Sequence, residues 1–350
     1  MSRETLKTLF VATALCLVCS MLVSISAVTL RPRQLENKAL DKKFNVLSIA
    51  GVFGEPIEFQ LAEPIEGARG AIVREIRVAD GDTIEANQIV LKLGTSTSIA
   101  CPHSGRIAKV HVKIDDFVEV GSPLLTIDRE ANPVESDIRN VFQQQVEVRI
   151  VELKSGAYVT ELGGTDFSSN PEMYDQRQTL TDPELHRVLS TDEDVARIKK
   201  VEKYSSVYLF KNADGEIDQV VLPIRGMGLW SILWGFVALD ADLTTIRGVG
   251  YYEHAETPGL GGEVDNPRWK QKWIGKKAFD GDQVKIEVTG GAVKKDPQNA
   301  IYQVDGLSGA TFTSNGVTNM LKFWLGKNGF GPFLQELREN QVASTGEIDG

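Results

Sequence analysis

The sequence predicts three parts of different fold class: one N-terminal transmembrane helix, an all-β sandwich, and an α+β domain that makes up most of the chain. The first part follows from a long uncharged apolar run at residues 8–30. The second follows from an internal repeat within residues 55–130, and the third from runs of strand-like stretches interrupted by helices and glycine-rich loops at residues 135–345. With 350 residues, the chain is long enough for two soluble domains beside a membrane segment.

The composition excludes several classes of function. Hydrophobic residues make up 42% and charged residues 25% of the chain, as in ordinary globular proteins, so most of it is expected to fold in water. The net charge of -10, without a block rich in Lys and Arg, argues against binding to nucleic acid. The 4 histidines are scattered, and Cys16 and Cys19 lie in the apolar run, which leaves Cys101 alone. Neither a metal site nor a disulfide framework is therefore predicted.

The first element is the apolar run at residues 8–30, preceded by a short tail at residues 1–7. In a helix this run reaches roughly 35 Å, which is enough to cross the core of a bilayer. A cleaved secretory signal stays open as an alternative, because Arg3 and Lys7 form a basic start and small residues end the run. The run is longer than the apolar core of an ordinary signal, which favours a retained helix.

Residues 31–54 are predicted to form a juxtamembrane helix or linker. They carry more basic residues than the tail before the apolar run, so the charge rule alone would place the following domains in the cytoplasm. Large domains can be translocated regardless of flanking charge, so the rule does not decide the side of the membrane.

Residues 55–130 are predicted to form a small β-sandwich with pseudo-twofold symmetry. Residues 70–78 return as residues 105–113, and residues 82–85 return as residues 116–119. Apolar and polar residues alternate within both copies, which is the period of half-buried strands.

This segment resembles the lipoyl/biotinyl carrier domain, the barrel-sandwich hybrid, with residues 100–105 in place of the family's A-P-x-x-G element. In carrier domains a modified lysine stands at the hairpin tip, which here is Gly94. The tip offers Gly94, Thr95 and Ser96. Lys92 is two residues away, in the predicted strand, so attachment of lipoate or biotin is not expected. The segment is interpreted as an unmodified docking or spacing module.

Residues 135–345 are predicted to form an α+β domain, because strands are interrupted by helices and by many glycines. Helices are predicted at residues 183–201 and 314–325, and loops at residues 225–230 and 299–313. Strands are predicted at residues 146–151, 206–211, 219–223, 233–239, 247–252 and 284–288.

The motif that carries chemistry is residues 305–314, which precede an amphipathic helix with Thr313 or Ser314 as its predicted N-cap. A helix N-terminus presents unpaired N–H groups and a partial positive charge, and glycines allow close approach, so the motif favours a phosphate-bearing ligand. It is neither a dinucleotide fingerprint nor a P-loop, because no Gly-Lys-Ser/Thr follows. On physical grounds alone, a plain capped helix after a glycine-rich turn stays an equal alternative.

Residues 305–311 resemble the site at which a flavin transferase links the phosphate of FMN to a threonine, with Thr311 at the modified position. The agreement extends to residues 37–43, 174–177, 228–231, 256–263, 324–326 and 330–334. On these residues the chain resembles the C subunits of Na⁺-translocating NADH:quinone oxidoreductases over residues 1–53 and 135–340. Residues 55–130 depart from that pattern and are interpreted as an insertion.

The resemblance implies an electron-relay subunit of an enzyme in the bacterial inner membrane, with one transmembrane helix and its FMN-binding domain on the periplasmic side. FMN would be held by a phosphodiester to Thr311. Electrons from NADH would arrive through an iron–sulfur centre and pass one at a time to a second covalent FMN in the B subunit. The B, D and E subunits and the flavin transferase are the implied partners. The chain alone is expected to catalyse no complete reaction and to hold no catalytic residue or metal.

The resemblance also implies a set of cofactor-binding residues in three segments. They are Thr311 with Asp305, Gly306, Ser308, Gly309, Ala310 and Thr313; Gly228, Leu229 and Trp230; and Glu256, Thr257, Pro258, Gly259, Leu260 and Gly261. Leu229 and Trp230 are expected to pack on the flavin, and the third segment to reach its polar edge. Asp305 is expected to serve recognition by the transferase, and Glu263 is interpreted as a surface residue. Lys270 and Lys322 could offset the charge of the phosphate, but they are interpreted as solvated lysines.

Three alternatives stay open. The related G subunit of the Rnf ferredoxin:NAD⁺ oxidoreductases shares the motif and the loop after Glu256, although residues 174–177 and 261–263 favour the C subunits. A periplasmic adaptor of a transport pump also combines an N-terminal helix with a carrier-like sandwich, but it usually has a long helical hairpin between the half-motifs. A soluble FMN-dependent reductase would need a nicotinamide-binding fingerprint, which the sequence lacks.

Overall fold

A computed structural model of the chain describes residues 3–53, 56–61, 65, 70–84, 88–95, 97–101, 105–128, 133–212, 215–294 and 299–346. It contains a long N-terminal helix, a β-rich segment and a mixed domain built on an antiparallel sheet. The contacts divide the chain into two compact units, Met1–Phe44 and Asn45–Gly350.

Helix α1 spans Arg3–Ile49 without interruption. The helix is long and apolar enough to cross a membrane, with a mean hydropathy of 2.4 in its most apolar window. Large apolar side chains such as Leu15 and Leu22 are exposed along it. The predicted span at residues 8–30 and the predicted juxtamembrane segment lie in one continuous helix, with Pro32 inside it. Proline has no backbone N–H, so Pro32 removes one hydrogen bond from the helix, and the hydrogen bonds on either side of it continue.

The β-rich segment folds into two four-stranded sheets, with orders β1-β8-β6-β3 and β5-β4-β2-β7. Buried apolar side chains of both sheets, Leu93 and Leu124 among them, form a common core. The predicted bounds at residues 55 and 130 lie outside the described residues. The strands are β1 Ile57–Gln60, β2 Gly70–Ile76, β3 Thr83–Ile84, β4 Gln88–Leu93, β5 Thr97–Cys101, β6 Gly105–Val110, β7 Phe117–Glu119 and β8 Pro123–Asp128.

The two copies of the repeat are interlocked. The long strand β2 of the first copy pairs with the short strand β7 of the second, and β6 of the second pairs with β3 of the first. Backbone contacts are also repeated: Val73 N donates to Asp116 O at 2.9 Å, and Ile107 N donates to Asp82 O at 2.7 Å. The segment therefore has the pseudo-twofold sandwich predicted from the repeat.

The hairpin tip between β4 and β5 has no lysine. Gly94 adopts a left-handed conformation there, with φ of 60°, and Ser96 lies outside the described residues. Lys92 lies in β4, and its Nζ is 3.0 Å from a carboxylate oxygen of Glu75. The amine is therefore placed on the face of the sheet and not at the turn where carrier chemistry would need it.

The mixed domain is built on a five-stranded antiparallel sheet with the order β17-β16-β15-β14-β9. Its elements in chain order are α2 Glu135–Gln145, β9 Val146–Glu152, β10 Glu161–Leu162, β11 Thr165–Asp166, α3 Gln176–Thr179, β12 His186–Val188, β13 Lys200–Glu202, β14 Tyr204–Lys211, β15 Ile217–Met227, β16 Ile232–Asp240, β17 Ile246–Glu253, α4 Pro267–Gln271, β18 Phe279–Asp280, β19 Gln283–Val284, β20 Glu287–Val288, β21 Gln303–Val304, α5 Thr311–Trp324 and α6 Gly331–Gly346. The α+β class predicted for this part agrees with the mixture of helices and strands.

Helix α5 packs closely against strand β15. A Cβ on Gly316 would come within 2.3 Å of Met227 O, so only glycine allows this approach. At the other end of the helix, Trp324 Nε1 donates a hydrogen bond to Arg225 O at 2.6 Å. These contacts fix α5 on the sheet, so they also set the position of its first residue, Thr311.

The end of α1 and the segment after it, residues 45–53, belong to the second unit and pack on the same sheet. Gln219 Nε2 in β15 donates a hydrogen bond to Ala50 O at 3.1 Å. A Cβ on Gly248 in β17 would come within 2.5 Å of Ile49 O. The chain thus contacts the sheet of the mixed domain before the carrier-like segment begins.

Four predicted elements of the mixed domain are wrong. Residues 299–313, predicted as a loop, contain strand β21 and the first residues of helix α5. Residues 183–201 contain the hairpin β12–β13 and no helix, because Arg187 and Val188 pair with Val201 and Lys200 across the hairpin. Residues 225–227, predicted as loop because of the glycine, continue strand β15. Residues 284–288 are divided between β19 and β20, which pair with different partners.

Candidate functional site

Asp305 anchors the beginning of the motif. Its carboxylate accepts hydrogen bonds from Lys272 Nζ at 2.6 Å and from Val293 N at 2.7 Å, and its backbone oxygen accepts one from Trp269 Nε1 at 2.8 Å. Partial burial raises the pKa of Asp305, but the hydrogen bonds from Lys272 and Val293 outweigh it and hold the pKa below its usual range. Asp305 therefore ties the motif to α4 and to the loop at Val293. The sequence interpretation missed Lys272, whose pairing depends on tertiary structure.

Helix α5 begins at Thr311, with Ala310 as an N-cap that makes no side-chain hydrogen bond. The predicted N-caps are wrong, because Thr313 and Ser314 lie inside the first turn and are 0% and 1% exposed. Ser314 Oγ accepts a hydrogen bond from Leu307 N at 3.1 Å, which closes the preceding loop onto the helix. The exposed hydroxyls of the motif are those of Ser308 and Thr311.

The carboxylate of Glu256 is buried beside this helix start. It accepts hydrogen bonds from Leu229 N at 3.1 Å, Trp230 N at 2.9 Å and Ser231 N at 3.1 Å, and from Thr313 Oγ1 at 2.7 Å. Burial raises the pKa of Glu256, but these hydrogen bonds outweigh it and hold the pKa below its usual range. The structure thus brings together all three segments that the sequence interpretation assigned to one site.

Three glycines of the predicted set serve close packing. A Cβ on Gly228 would come within 2.6 Å of Glu256 Oε1, and a Cβ on Gly261 within 2.7 Å of Glu256 Oε2. A Cβ on Gly306 would come within 2.2 Å of Thr289 O. These residues shape the site by leaving room for its other groups.

Exposed apolar side chains occur on each of the three segments. Leu229 and Trp230 are 41% and 67% exposed, Leu260 is 44% exposed, and Phe312 is 69% exposed. Leu260 approaches the helix start, since a Cβ on Gly309 would lie 3.0 Å from Leu260 Cδ2. The remaining predicted residues of the loop, Thr257, Pro258 and Gly259, are exposed as well.

Phe312 was not among the predicted site residues. The signal was present in the sequence: the core stripe of α5 runs through Thr313, Val317 and Met320, and Phe312 is a large apolar residue outside it. An apolar residue that the core does not bury, next to a candidate modified threonine, indicates a ligand contact.

Two lysines of the mixed domain, Lys270 and Lys322, could offset the charge of a phosphate. Lys270 Nζ is 3.1 Å from a carboxylate oxygen of Asp265. Lys322 is in the last turn of α5 and exposed, about 16 Å along the helix axis from Thr311. Lys322 is therefore too far away to neutralise a phosphate at Thr311, and Lys270 is paired with Asp265.

The residues present fit a flavin that carries a phosphate. Helix α5 begins at Thr311, so the N–H groups of residues 311–313 have no acceptor in a preceding helical turn, and the hydroxyl of Thr311 is exposed at this end. Gly309, with φ of 70°, lets the chain turn directly before that end. The exposed faces of Trp230 and Phe312 suit a planar aromatic ring. Within the described part of the chain, no group of His, Cys, Asp or Glu is arranged to hold a metal ion.

Comparisons with known proteins identify the family of the chain. A family model described as the FMN-binding domain matches residues 228–326, and one described as "Biotin-requiring enzyme" matches residues 57–127. The C subunit of the Na⁺-translocating NADH-quinone reductase of Pseudomonas aeruginosa is 36% identical over 341 residues, which cover 97% of this chain and 98% of that protein. The chain belongs to this family of C subunits.

Two further C subunits are similar. That of Neisseria meningitidis is 42% identical over 204 residues, which cover 58% of this chain and 75% of that protein. The crystal structure of NqrC from Shewanella oneidensis is 32% identical with a TM-score of 0.54, over 61% of this chain and 92% of that chain.

Membership of the C-subunit family confirms the resemblance drawn from the motif. The chain is one subunit of a Na⁺-translocating NADH-quinone reductase, with an FMN-binding domain, a carrier-like domain and one apolar N-terminal helix. The G-subunit, pump-adaptor and soluble-reductase alternatives are not supported.

Proposed function

We propose that this protein carries FMN through a phosphodiester on Thr311 and relays electrons within the reductase, from the iron–sulfur centre to the covalent FMN of the B subunit. One observation carries the attachment site. Thr311 has an exposed hydroxyl at the N-terminus of α5, whereas the hydroxyls of Thr313 and Ser314 are buried and engaged with Glu256 and Leu307.

Attachment requires a transferase and an activated flavin donor, a flavin dinucleotide. Thr311 Oγ forms a bond to the phosphorus of the FMN moiety, while the phosphoanhydride bond of the donor breaks and a nucleoside monophosphate leaves. The hydroxyl proton passes to a base of the transferase. The N–H groups of the first turn and the helix dipole stabilise the negative phosphodiester that results.

The other residues of the site bind and orient the cofactor. Trp230 and Phe312 offer apolar faces to its ring, and the loop containing Leu260 covers the helix start. FMN supplies the one-electron redox chemistry, and the protein supplies its orientation and a partly dry environment. The exposed loop residue Thr257 is available as a hydrogen-bond donor to the polar part of the ring.

The test of attachment uses the chain purified after coexpression with its flavin transferase. We expect a fluorescent band that survives denaturing electrophoresis, and the mass of a single FMN on the peptide that contains Thr311. Flavin that is released on denaturation would refute the covalent link while leaving the FMN-binding assignment in place.

We infer that the soluble part of the chain lies on the periplasmic side, because the flavin transferase implied by the motif acts there. The basic residues that follow the apolar run favour the opposite side. A pair of reporters fused after Gly350, one active only in the periplasm and one only in the cytoplasm, decides between them. Activity of the cytoplasmic reporter alone would contradict the inference.

The carrier-like segment is proposed to be an unmodified insertion that acts in docking or spacing. The segment is flanked on both sides by parts of the mixed domain, since residues 45–53 pack on its sheet and α2 begins at Glu135. The match with the Neisseria relative covers 58% of this chain but 75% of that protein, so the Neisseria protein is the shorter of the two.

Replacing residues 55–130 with a short Gly/Ser linker is expected to leave covalent FMN unchanged and to weaken assembly or turnover of the complex. Covalent FMN is measured by in-gel fluorescence, and turnover by NADH:quinone activity of purified complex. Unchanged assembly and turnover would contradict a docking role. Lipoyl or biotinyl mass on Lys92 of the unaltered chain would contradict the unmodified state.

A further inference from the structure

Glu256 lies where the three segments of the flavin site meet. Its Oε1 accepts hydrogen bonds from Trp230 N at 2.9 Å and Ser231 N at 3.1 Å. Its Oε2 accepts hydrogen bonds from Leu229 N at 3.1 Å and Thr313 Oγ1 at 2.7 Å. The side chain is 5% exposed. Both oxygens are therefore directed at protein donors, and the carboxylate faces inward and not toward a ligand on the surface.

The position of this carboxylate is built into the backbone around it. A Cβ on Gly228 would come within 2.6 Å of Glu256 Oε1, and a Cβ on Gly261 would come within 2.7 Å of Glu256 Oε2. Three successive backbone N–H groups converge on the carboxylate, which is the arrangement of an anion-binding nest. Here a side chain of the same chain takes the place of the bound anion.

The backbone of Glu256 is also held. Its N–H donates to His254 Nδ1 at 3.2 Å, and Ala255 N donates to Ser231 Oγ at 2.7 Å. Because His254 Nδ1 accepts this hydrogen bond, the proton of the neutral ring is on Nε2, which is 2.7 Å from Asp265 Oδ2. These hydrogen bonds fix the backbone where the loop begins at Glu256, so the carboxylate has little freedom to leave its position.

The two elements that Glu256 joins carry the exposed groups of the site. The turn between β15 and β16 presents Leu229 and Trp230, and the first turn of α5 presents Thr311, two residues before Thr313. The hydrogen bonds of the carboxylate are charge-assisted and partly shielded from water, so they hold the turn against the helix more strongly than neutral contacts would. The separation between Trp230 and Thr311 therefore depends on Glu256.

We propose that Glu256 is a positioning residue for flavin attachment: its carboxylate holds the turn at residues 228–231 against the first turn of α5, so that Thr311 and Trp230 face the same flavin. This inference rests on the proposed function, in which Thr311 receives the FMN. It assigns no contact between Glu256 and the flavin.

Glu256→Gln tests the inference with a side chain of nearly equal size. The amide oxygen can still accept from Trp230 N and Ser231 N, but the NH₂ group then faces the N–H of Leu229. Two donors that face each other repel, so the turn is pushed away from the helix. We expect the kcat of FMN transfer to this chain, with purified transferase and flavin dinucleotide, to fall about tenfold or more. The KM for the chain should stay unchanged, because the motif at residues 305–311 is intact.

Glu263→Gln is the matched control. Glu263 lies seven residues further along the chain, and its carboxylate accepts a hydrogen bond from Asn266 Nδ2 at 2.7 Å. This variant should be labelled at the rate of the unaltered chain. Thr313→Val is the second test variant, since it removes one donor to Glu256 without altering the carboxylate, and a smaller loss of kcat is expected.

The outcomes separate the two levels of the proposal. Unaltered chain that receives no covalent FMN would refute the proposed function and this inference with it. Wild-type kcat in both Glu256→Gln and Thr313→Val would overturn the positioning role alone. If Glu256→Gln fails to fold, as judged by its thermal transition, Thr313→Val decides: reduced kcat at unchanged KM supports positioning, and unchanged kcat contradicts it.

Discussion

Replacing Thr311 with valine is expected to abolish covalent FMN on the chain. Valine has nearly the shape of threonine and lacks only the hydroxyl that would form the phosphoester bond. Thr311 is exposed and is not the N-cap of α5, so the fold should lose less than about 0.5 kcal/mol of unfolding free energy. The measurement is in-gel flavin fluorescence after denaturation, together with the intact mass of the chain.

Ser308→Ala is the informative control for this variant. Ser308 has the other exposed hydroxyl of the motif, whereas Thr313 and Ser314 are buried and could not reach a transferase. Ser308→Ala should still carry covalent FMN, although its rate of labelling can fall because the residue lies in the recognition motif. Retained FMN on Thr311→Val with loss on Ser308→Ala would move the attachment site to Ser308.

The parts of the fold that the sequence predicted were those with strong periodicity. The interlocked sandwich follows from a close correspondence of strand, turn and aspartate in two copies, and β9, β14, β16 and β17 lie where apolar runs indicated strands. The alternation of apolar and polar residues can be read from a short stretch of sequence, and strands that bury one face in a core require it. The apolar run predicted a helix at residues 8–30, and α1 continues beyond it through polar residues and Pro32, where a juxtamembrane helix or linker was predicted.

The failures have a common physical cause, which is tertiary contact that overrides local preference. Residues 183–201 have a helix-like composition, but Val188 and Lys200 pair across a hairpin, and burial of Leu189 and Val201 stabilises that pairing. Gly226 suggested a loop, yet it lies in β15, where its missing side chain admits Met320 of α5. Neither contact can be read from a short window of sequence.

The site was predictable as a set of segments but not as a geometry. The motif predicted a phosphate at the start of α5, and the resemblance singled out Thr311 and added the turn at Trp230 and the loop at Glu256. The sequence did not show that the carboxylate of Glu256 is turned inward, onto three backbone amides and Thr313. That arrangement depends on how β15, the loop after β17 and α5 pack, and these elements are far apart in the chain.

A buried ion pair stabilises the sheet that carries the site. Arg225 and Glu202 contact each other with side-chain exposures of 3% and 0%. Gln176 Nε2 also donates to the Glu202 carboxylate. The guanidinium of Arg225 lies 5.3 Å from the ring centroids of both Trp234 and Trp324, within the range of cation–π contacts. Arg225 thus links a buried carboxylate to the helix that begins at Thr311.

Arg225→Met is expected to lower the unfolding free energy of the mixed domain by about 3–5 kcal/mol, because it leaves the Glu202 carboxylate buried without its cation. Arg187→Met breaks an exposed pair with Glu193 and should cost about 1 kcal/mol or less. Denaturant unfolding followed by tryptophan fluorescence measures both losses. All 5 tryptophans of the chain lie between residues 230 and 324, so the signal reports the mixed domain alone.

The double variant Arg225→Met, Glu202→Leu shows whether that loss comes from the unpaired charge. Removing both charged groups leaves apolar side chains of similar volume, so most of the stability should return, although Gln176 loses its acceptor. A double-mutant cycle with Glu202→Leu then gives the coupling between the two residues. A double variant as unstable as Arg225→Met would show instead that packing of the guanidinium between Trp234 and Trp324 supplies the stability. A cost for Arg225→Met no larger than that for Arg187→Met would contradict any stabilising role of the pair.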